Sequence, residues 1–230
     1  MSLPNVRLHD LGLIDYKEAW DYQEKLFNEV IEQKRLGVQR PLCHLILCEH
    51  PHVYTLGKSG VVDNLLADER RLKDIDARFY KINRGGDITY HGPGQLVIYP
   101  IFDLDQFFTD IHKYMRFLEE SVIQTLLFFG GNAQRIEGLT GVWILGNPSR
   151  KIAAFGVKCS RWVTMHGIGF NVNTDLSYFD HIVPCGISDK SVTSIARELS
   201  APVDIEIVKQ QIVERLSKLF EFQIGELHEN

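Results

Sequence analysis

Arg84-Gly85-Gly86-Asp87-Ile88-Thr89-Tyr90-His91-Gly92-Pro93-Gly94-Gln95 places four glycines and a proline between two apolar stretches, yet keeps an arginine, a threonine, a histidine and a glutamine. Glycine lets the backbone take positive φ or come close to a ligand, and the polar side chains then have something to point at. A loop of this kind, held between strands, is a usual seat of function. The plain alternative is a glycine-rich connection between two strands. Phe79-Tyr80-Lys81-Ile82 leads into the loop as an extended segment, and Leu96 to Phe102 leads out of it as a strand.

Working outward, strands and helices follow in no regular alternation. Val6-Arg7-Leu8 reads as a short strand. A helix is expected from Tyr16 to Gln39, with Ala19, Tyr22, Leu26 and Val30 at helical spacing and Gly37 and Pro41 at its end. Leu42 to Cys48 reads as a buried strand and Val53 to Leu56 as another short extended piece. Asp110 to Phe129 is expected as a helix stopped by Gly130-Gly131. Strands then follow at Gln134-Arg135-Ile136, Val142 to Leu145, Lys151 to Cys159 and Gly167 to Val172. A short helix is expected after Ser188 and a long one from Val203 to Phe222. No linker, repeat or low-complexity tract divides residues 1–230, so one domain with its core over about 6–222 is expected. The fold class is α+β, a mixed β-sheet with flanking helices.

Composition narrows the function. The chain has 230 residues, 44% hydrophobic and 24% charged, with a net charge of −5. That balance argues against a general nucleic-acid or membrane-surface binder. The start, Met-Ser-Leu-Pro-Asn-Val-Arg, has no apolar core of a signal peptide, and no run approaches the length of a membrane span. A cytoplasmic location is expected. Cys43, Cys48, Cys159 and Cys185 form no CxxC pair and no zinc spacing, so free thiols in a reducing compartment are expected. The histidines show no metal-ligating spacing, and there is no Walker motif and no GxGxxG. Neither metal nor cofactor is expected.

The cysteines differ in what they could do. Cys43 and Cys48 lie in the apolar run Leu42-Cys43-His44-Leu45-Ile46-Leu47-Cys48 and read as small core hydrophobes. Cys159, between Lys158 and Ser160 at a strand end, reads as structural. Cys185 sits between Pro184 and Gly186 just before an expected helix, whose dipole would favour a thiolate. The other reading is a loop cysteine of no consequence. A nucleophilic thiol needs a partner to keep it ionised. Lys151, opening the otherwise apolar strand Lys151-Ile152-Ala153-Ala154-Phe155-Gly156-Val157, is one candidate, with a solvated strand-end lysine as the alternative. His91 and His166 are further titratable candidates. His91 lies among glycines, where a core role is not expected. His166 could equally be a structural hydrogen bonder.

Taken together, these pieces resemble the octanoyltransferases of lipoate biosynthesis. Arg84 to Gln95 followed by Tyr99-Pro100 resembles that family's signature, and His50-Pro51-His52-Val53-Tyr54-Thr55-Leu56-Gly57 resembles its upstream segment. Gly141-Val142-Trp143, Lys151 to Gly156, His166-Gly167 with Asn171-Val172-Asn173, and Pro184-Cys185-Gly186 match in order. The resemblance spans roughly Val6 to Phe222 and rests on several separate motifs. It implies the catalytic-domain fold of biotin and lipoate protein ligases. It also implies transfer of an octanoyl group from octanoyl-acyl carrier protein to a lysine of lipoyl domains, those of 2-oxoacid dehydrogenase E2 subunits and of the glycine cleavage H protein. By the same resemblance Cys185 would carry the acyl thioester and Lys151 would lower its pKa. Arg84, Gly85, Gly86, Asp87, Ile88, Thr89, Tyr90 and His91 would line the substrate site, with Ala154, Phe155 and Gly156 and with Gly167, Ile168 and Gly169. Phe155, where a smaller aliphatic residue is common in the family, could narrow the acyl pocket. A monomer is expected.

The chemistry is consistent with this. Exchange between thioesters is nearly isoenergetic and amide formation from a thioester runs downhill, so no nucleotide loop is needed. Two rivals stay open on the sequence: an ATP-dependent lipoate ligase on the same fold, and a non-catalytic acyl-group binding module. Cys185 with Lys151 counts against both. Between Glu137 and Asp175 the chain carries Arg150, Lys151, Lys158 and Arg161 and no acidic residue, so a basic docking face for acidic carrier and lipoyl domains is expected.

Overall fold

The computed structural model describes residues 3–183 and 191–225. Its elements run β1 (Asn5–Leu13), α1 (Tyr16–Arg35), β2 (Cys43–Glu49), β3 (Val53–Leu56), α2 (Glu69–Asp74), β4 (Arg78–Lys81), β5 (Ile88–His91) and β6 (Gln95–Ile101), then α3 (Ile111–Phe128). β7 (Gln134–Ile136), β8 (Leu139–Ile144), β9 (Arg150–Ser160), β10 (Val163–Asn171), β11 (Ser191–Val192), α4 (Ile195–Leu199), α5 (Ile205–Phe220) and β12 (Gln223–Ile224) complete the described chain.

Side-chain alternation on the central strands builds three layers. On β2, Cys43, Leu45 and Leu47 point to one face, while Ile46 and Cys48 point to the other. β6 divides in the same way: Leu96 and Ile98 against Val97, Tyr99 and Ile101. The first face receives α3 through Tyr114, Leu118 and Val122 and α5 through Val208, Ile212 and Leu216. The second receives α1 through Leu26, Phe27 and Val30. β2 and β6 are covered on both faces, which is why they read as continuous apolar runs. The main sheet is ordered β12-β1-β2-β6-β10-β9-β8-β7 with β11 added to β9, and it mixes parallel and antiparallel pairs.

A second, three-stranded sheet, β4-β3-β5, carries the glycine-rich segment. Here the structure differs from the expectation of one long loop. Ile88–His91 forms a strand antiparallel to β3, with Leu56 opposite Ile88 and Val53 opposite His91. Four residues are too few for a periodicity to stand out among glycines, and β3 supplies the ladder. The helices lie close to where their patterns put them. Asp110 caps α3, its carboxylate accepting from His112 N (2.9 Å) and Lys113 N (3.0 Å). α1 stops at Arg35, short of Gln39, because the chain turns at Gly37 with φ +81°. The helix expected after Ser188 is seen as α4, capped by the Ser194 hydroxyl.

Candidate active site

The two sheets enclose a cavity of about 710 Å³. The residues expected to line it come from two distant parts of the chain. Arg84 to Thr89 and His91 belong to the turn and β5 on one side. Lys151, Ala154, Phe155 and Gly156 on β9 and Gly167, Ile168 and Gly169 on β10 form the other side. All of these line the cavity. Tyr90 does not. Alternation on β5 turns its ring away, into a stack with Tyr178 (5.1 Å between centroids), and its hydroxyl hydrogen-bonds His52 Nδ1 at 2.7 Å. Cys185 lies outside the described residues.

Arg84 shows how tightly the wall is tied. Its guanidinium is buried and donates to Thr55 O (2.7 Å), Thr55 Oγ1 (3.0 Å) and its neighbour Gly85 O (3.0 Å), clamping the turn to β3. Gly85 N donates to Val157 O at 2.9 Å, so the turn is also joined to β9. That bond engages the Gly85 N–H. At Gly156, an added Cβ would lie 2.9 Å from both Arg84 Cδ and Gly85 O, so only glycine lets the turn come this close.

His91 is buried, contrary to the expectation for a histidine among glycines. Its protonation follows from a relay anchored on backbone carbonyls. Asn171 Nδ2 donates to Thr193 O (3.0 Å), which leaves Asn171 Oδ1 to accept from Gln95 Nε2 (2.8 Å). Gln95 Nε2 also donates to Tyr90 O (3.1 Å), so Gln95 Oε1 is the acceptor facing His91 Nδ1 at 2.6 Å. The Nδ1–H tautomer is therefore fixed and the lone pair is on Nε2. Burial first, then the neighbouring His50 and the Arg84 charge, push its pKa down to about 3. The imidazole is neutral at pH 7. His166 is likewise pushed down to about 3, by burial and then by Arg84 and Lys158. It holds a left-handed φ of +60° and bonds Asn83 Oδ1 through Nε2 (3.0 Å).

Lys151 faces the cavity with its Nζ 4.7 Å from the centroid of the Trp143 ring. Its strand is joined to the chain that follows Cys185. Val192 on β11 sits opposite Lys151, and Thr193 N donates to Lys151 O at 2.9 Å. On the other side of residues 184–190, Val183 N donates to Asn64 O at 2.8 Å, and Phe179 lines the cavity.

Of the remaining cysteines, Cys43 and Cys48 sit in the core as expected. Burial pushes the Cys43 thiol up to about 12 and raises that of Cys48 further. Cys159 is exposed. Among the described residues, no group of three or more His, Cys, Asp or Glu is arranged to hold a metal ion, and no helix is long and apolar enough to cross a membrane. The cations of the expected basic face are not gathered at one point. Lys158 lies on β9 roughly 24 Å along the strand from Lys151, and Arg150 is paired in bidentate fashion with Glu198 at 2.9 Å. Several lining residues were not anticipated: Ile111, Met115 and Arg116 of α3, Leu139 and Trp143 of β8, and Tyr16 of α1. Ile111 and Met115 stand four apart on one helix face, a spacing that reads as core.

Comparison with known proteins places the chain in a family. The family described as the lipoyl protein ligase A/B catalytic domain matches residues 15–217. An octanoyltransferase of Cytophaga hutchinsonii is 58% identical, over 96% of this chain and 94% of that protein. One from Flavobacterium johnsoniae is 56% identical, over 95% of this chain and 98% of its own. Among solved structures, a bi-partite lipoate protein ligase from Thermoplasma acidophilum superposes with a TM-score of 0.72 at 18% identity, covering 97% of this chain and 86% of that one. Lipoate-protein ligase A bound with ATP superposes at 0.71 and 18% identity, over 98% of this chain and 88% of its own. These structures share the fold. With the family model matching residues 15–217 and more than half of the aligned positions identical to the bacterial relatives, the chain belongs to the lipoyl protein ligase A/B catalytic-domain family and, within it, to the octanoyltransferases, acyltransferases of protein lipoylation.

Proposed function

We propose that the enzyme takes the octanoyl group of octanoyl-acyl carrier protein onto Cys185 and passes it to a lysine ε-amine of a lipoyl domain, on an E2 subunit or an H protein. The Cys185 thiolate attacks the carrier thioester carbonyl, a new C–S bond forms as the C–S bond to the carrier breaks, and the carrier sulfur leaves as a thiolate that takes a proton from solvent. The acceptor amine then attacks the acyl-Cys185 carbonyl. The C–N bond forms, the amine sheds a proton, and the Cys185 thiolate is released. Lys151 holds that thiolate by its charge. The enzyme acts as a monomer in the cytoplasm, on carrier and acceptor in turn.

The observation that carries this reading is the pairing of Val192, just downstream of Cys185, with Lys151 on the cavity wall. Apolar wall residues such as Met115, Leu139 and Phe155 suit an alkyl chain, and burying the octanoyl methylenes is worth about 5 kcal/mol at the usual increment per CH₂. Neutral His91 and the clamped Arg84 form the polar end. Because Gly85 N–H already serves Val157 O, the oxyanion of the tetrahedral intermediate falls to other backbone donors.

The test is intact-mass analysis after incubation with octanoyl-acyl carrier protein. One octanoyl adduct, removable by hydroxylamine, is expected in the parent and in Cys43→Ala and Cys48→Ala. It should be absent in Cys185→Ala. An undiminished adduct in Cys185→Ala would overturn the assignment. Incubation with lipoate and ATP in place of the carrier should give no product.

A further inference from the structure

Lys151 reaches the cavity only through an irregularity in its strand. On β8 and β9, Val142 is opposite Ala153 and Trp143 is opposite Lys151, so one step on β8 spans two on β9, with Ile152 as the extra residue. In a regular ladder Lys151 would share the face of Ala153, and that face, with Val142, packs into the main core. The bulge turns Lys151 onto the face of Trp143 instead. Just before it, Gly141 takes φ +140° and its N–H donates at 3.1 Å to Oε1 of Glu119. Glu119 is fully buried and held by Arg116 and Arg135, each at 3.0 Å. A Cβ on Gly141 would lie 3.1 Å from Trp143 Nε1 and 3.2 Å from Lys151 Cε. The lysine stem therefore runs over the bare glycine, and its ammonium reaches the indole face.

Trp143 is 2% exposed, and its Nε1 has no hydrogen-bond partner among the described residues. A buried indole usually spends its N–H on an acceptor. Among the described residues none accepts from this one, while its ring face is occupied. Its ring face is the strongest side-chain site for a cation, and a cation stands over it. We propose that Trp143 is a positioning residue: its face seats the Lys151 ammonium on the cavity wall, and the bulge with Gly141 is the device that brings the two together. The proposal rests on the reading of Lys151 as the charge that activates Cys185. It adds that Lys151 works as a fixed ammonium, since the ring favours only the charged form.

The experiment is a double-mutant cycle at pH 7. Trp143→Leu and Trp143→Phe are each made in the parent and in Lys151→Met, and read by Cys185 alkylation rate and by kcat and KM with octanoyl-acyl carrier protein. Trp143→Leu should lower the alkylation rate and kcat by roughly three- to thirtyfold, with KM within about twofold. Trp143→Phe, which keeps a weaker ring face, should lose less. In the Lys151→Met background, neither change should slow alkylation further. Equal losses in both backgrounds would mean that Trp143 only fills space, and would overturn the proposal. A second readout is independent of catalysis. With Trp20→Phe and Trp162→Phe leaving Trp143 as the sole tryptophan, Lys151→Met should shift its emission. An unchanged spectrum also overturns the seat. If Lys151→Met alkylates at the parental rate, the reading of Lys151 as the activating charge has failed, and the emission result still decides whether the seat exists.

Discussion

At the residue scale, the site departs most from its sequence at His91. The sequence placed it among glycines and left its role open. The structure buries it and fixes its tautomer through Gln95 and Asn171. No spacing rule reveals this, because the relay joins residues on β5, β6, β10 and the chain after β11. Yet Gln95 and Asn171 both stood in the quoted motifs, and a buried carboxamide pair is the natural way to hold an imidazole without charging it. Long-range ¹H–¹⁵N correlation should show His91 neutral with its proton on Nδ1 from pH 7 down to pH 5. Gln95→Glu replaces the amide donors to Tyr90 O and Asn171 Oδ1 with a carboxylate. It should raise the His91 pKa and lower stability by about 1–3 kcal/mol, the cost of stranded buried polar groups. A proton on Nε2 in the parent would refute the relay.

At the element scale, the long helices and the apolar central strands were legible, because burial on one face or two leaves a clear period. The four-residue β5, the six-residue α2 and the two-residue β11 and β12 were not, since a few residues carry no period and depend on a partner for their ladder. The β8–β9 bulge was hidden for the same reason. Lys151 could be picked out as a lysine at a strand end, but its facing depends on one extra residue opposite Trp143. The close approach of the glycine turn to β9 makes a further prediction at this scale. Gly156→Ala forces a Cβ to within 2.9 Å of Arg84 Cδ and Gly85 O, and the backbone oxygen cannot swing aside. The turn must then move off β9. Activity should fall at least tenfold, and the amide of Gly85, bonded to Val157 O, should lose hydrogen-exchange protection. Gly156→Ala with parental activity and parental protection at Gly85 would show that the contact is not needed.

At the scale of the whole molecule, the mixed order of elements was enough for the α+β class, whereas the split into two sheets around a cavity was not, because it depends on where β3 finds its partners. Burial holds four histidines in neutral form, two of them, His91 and His166, on the cavity wall. His44 and His50 are pushed down to about 4, and His91 and His166 to about 3, with burial the first cause for each. Their folded pKa values lie below the unfolded value of about 6.5. Above that pH both states are neutral and the stability they allow is fully present. As pH falls below it, the unfolded chain takes up protons that the folded chain refuses, and stability declines by about 1.4 kcal/mol per pH unit for each histidine. The decline should end only near pH 4 for His44 and His50, and near pH 3 for the other pair. Tm should therefore drop steeply between pH 6.5 and pH 5, before most carboxylates titrate. Calorimetry in buffers of different ionisation enthalpy should find more than one proton taken up on unfolding at pH 5. A Tm that stays level from pH 7 to pH 5, with no proton uptake, would mean that these imidazoles are already charged in the folded protein, and would remove the basis for a neutral polar end to the cavity.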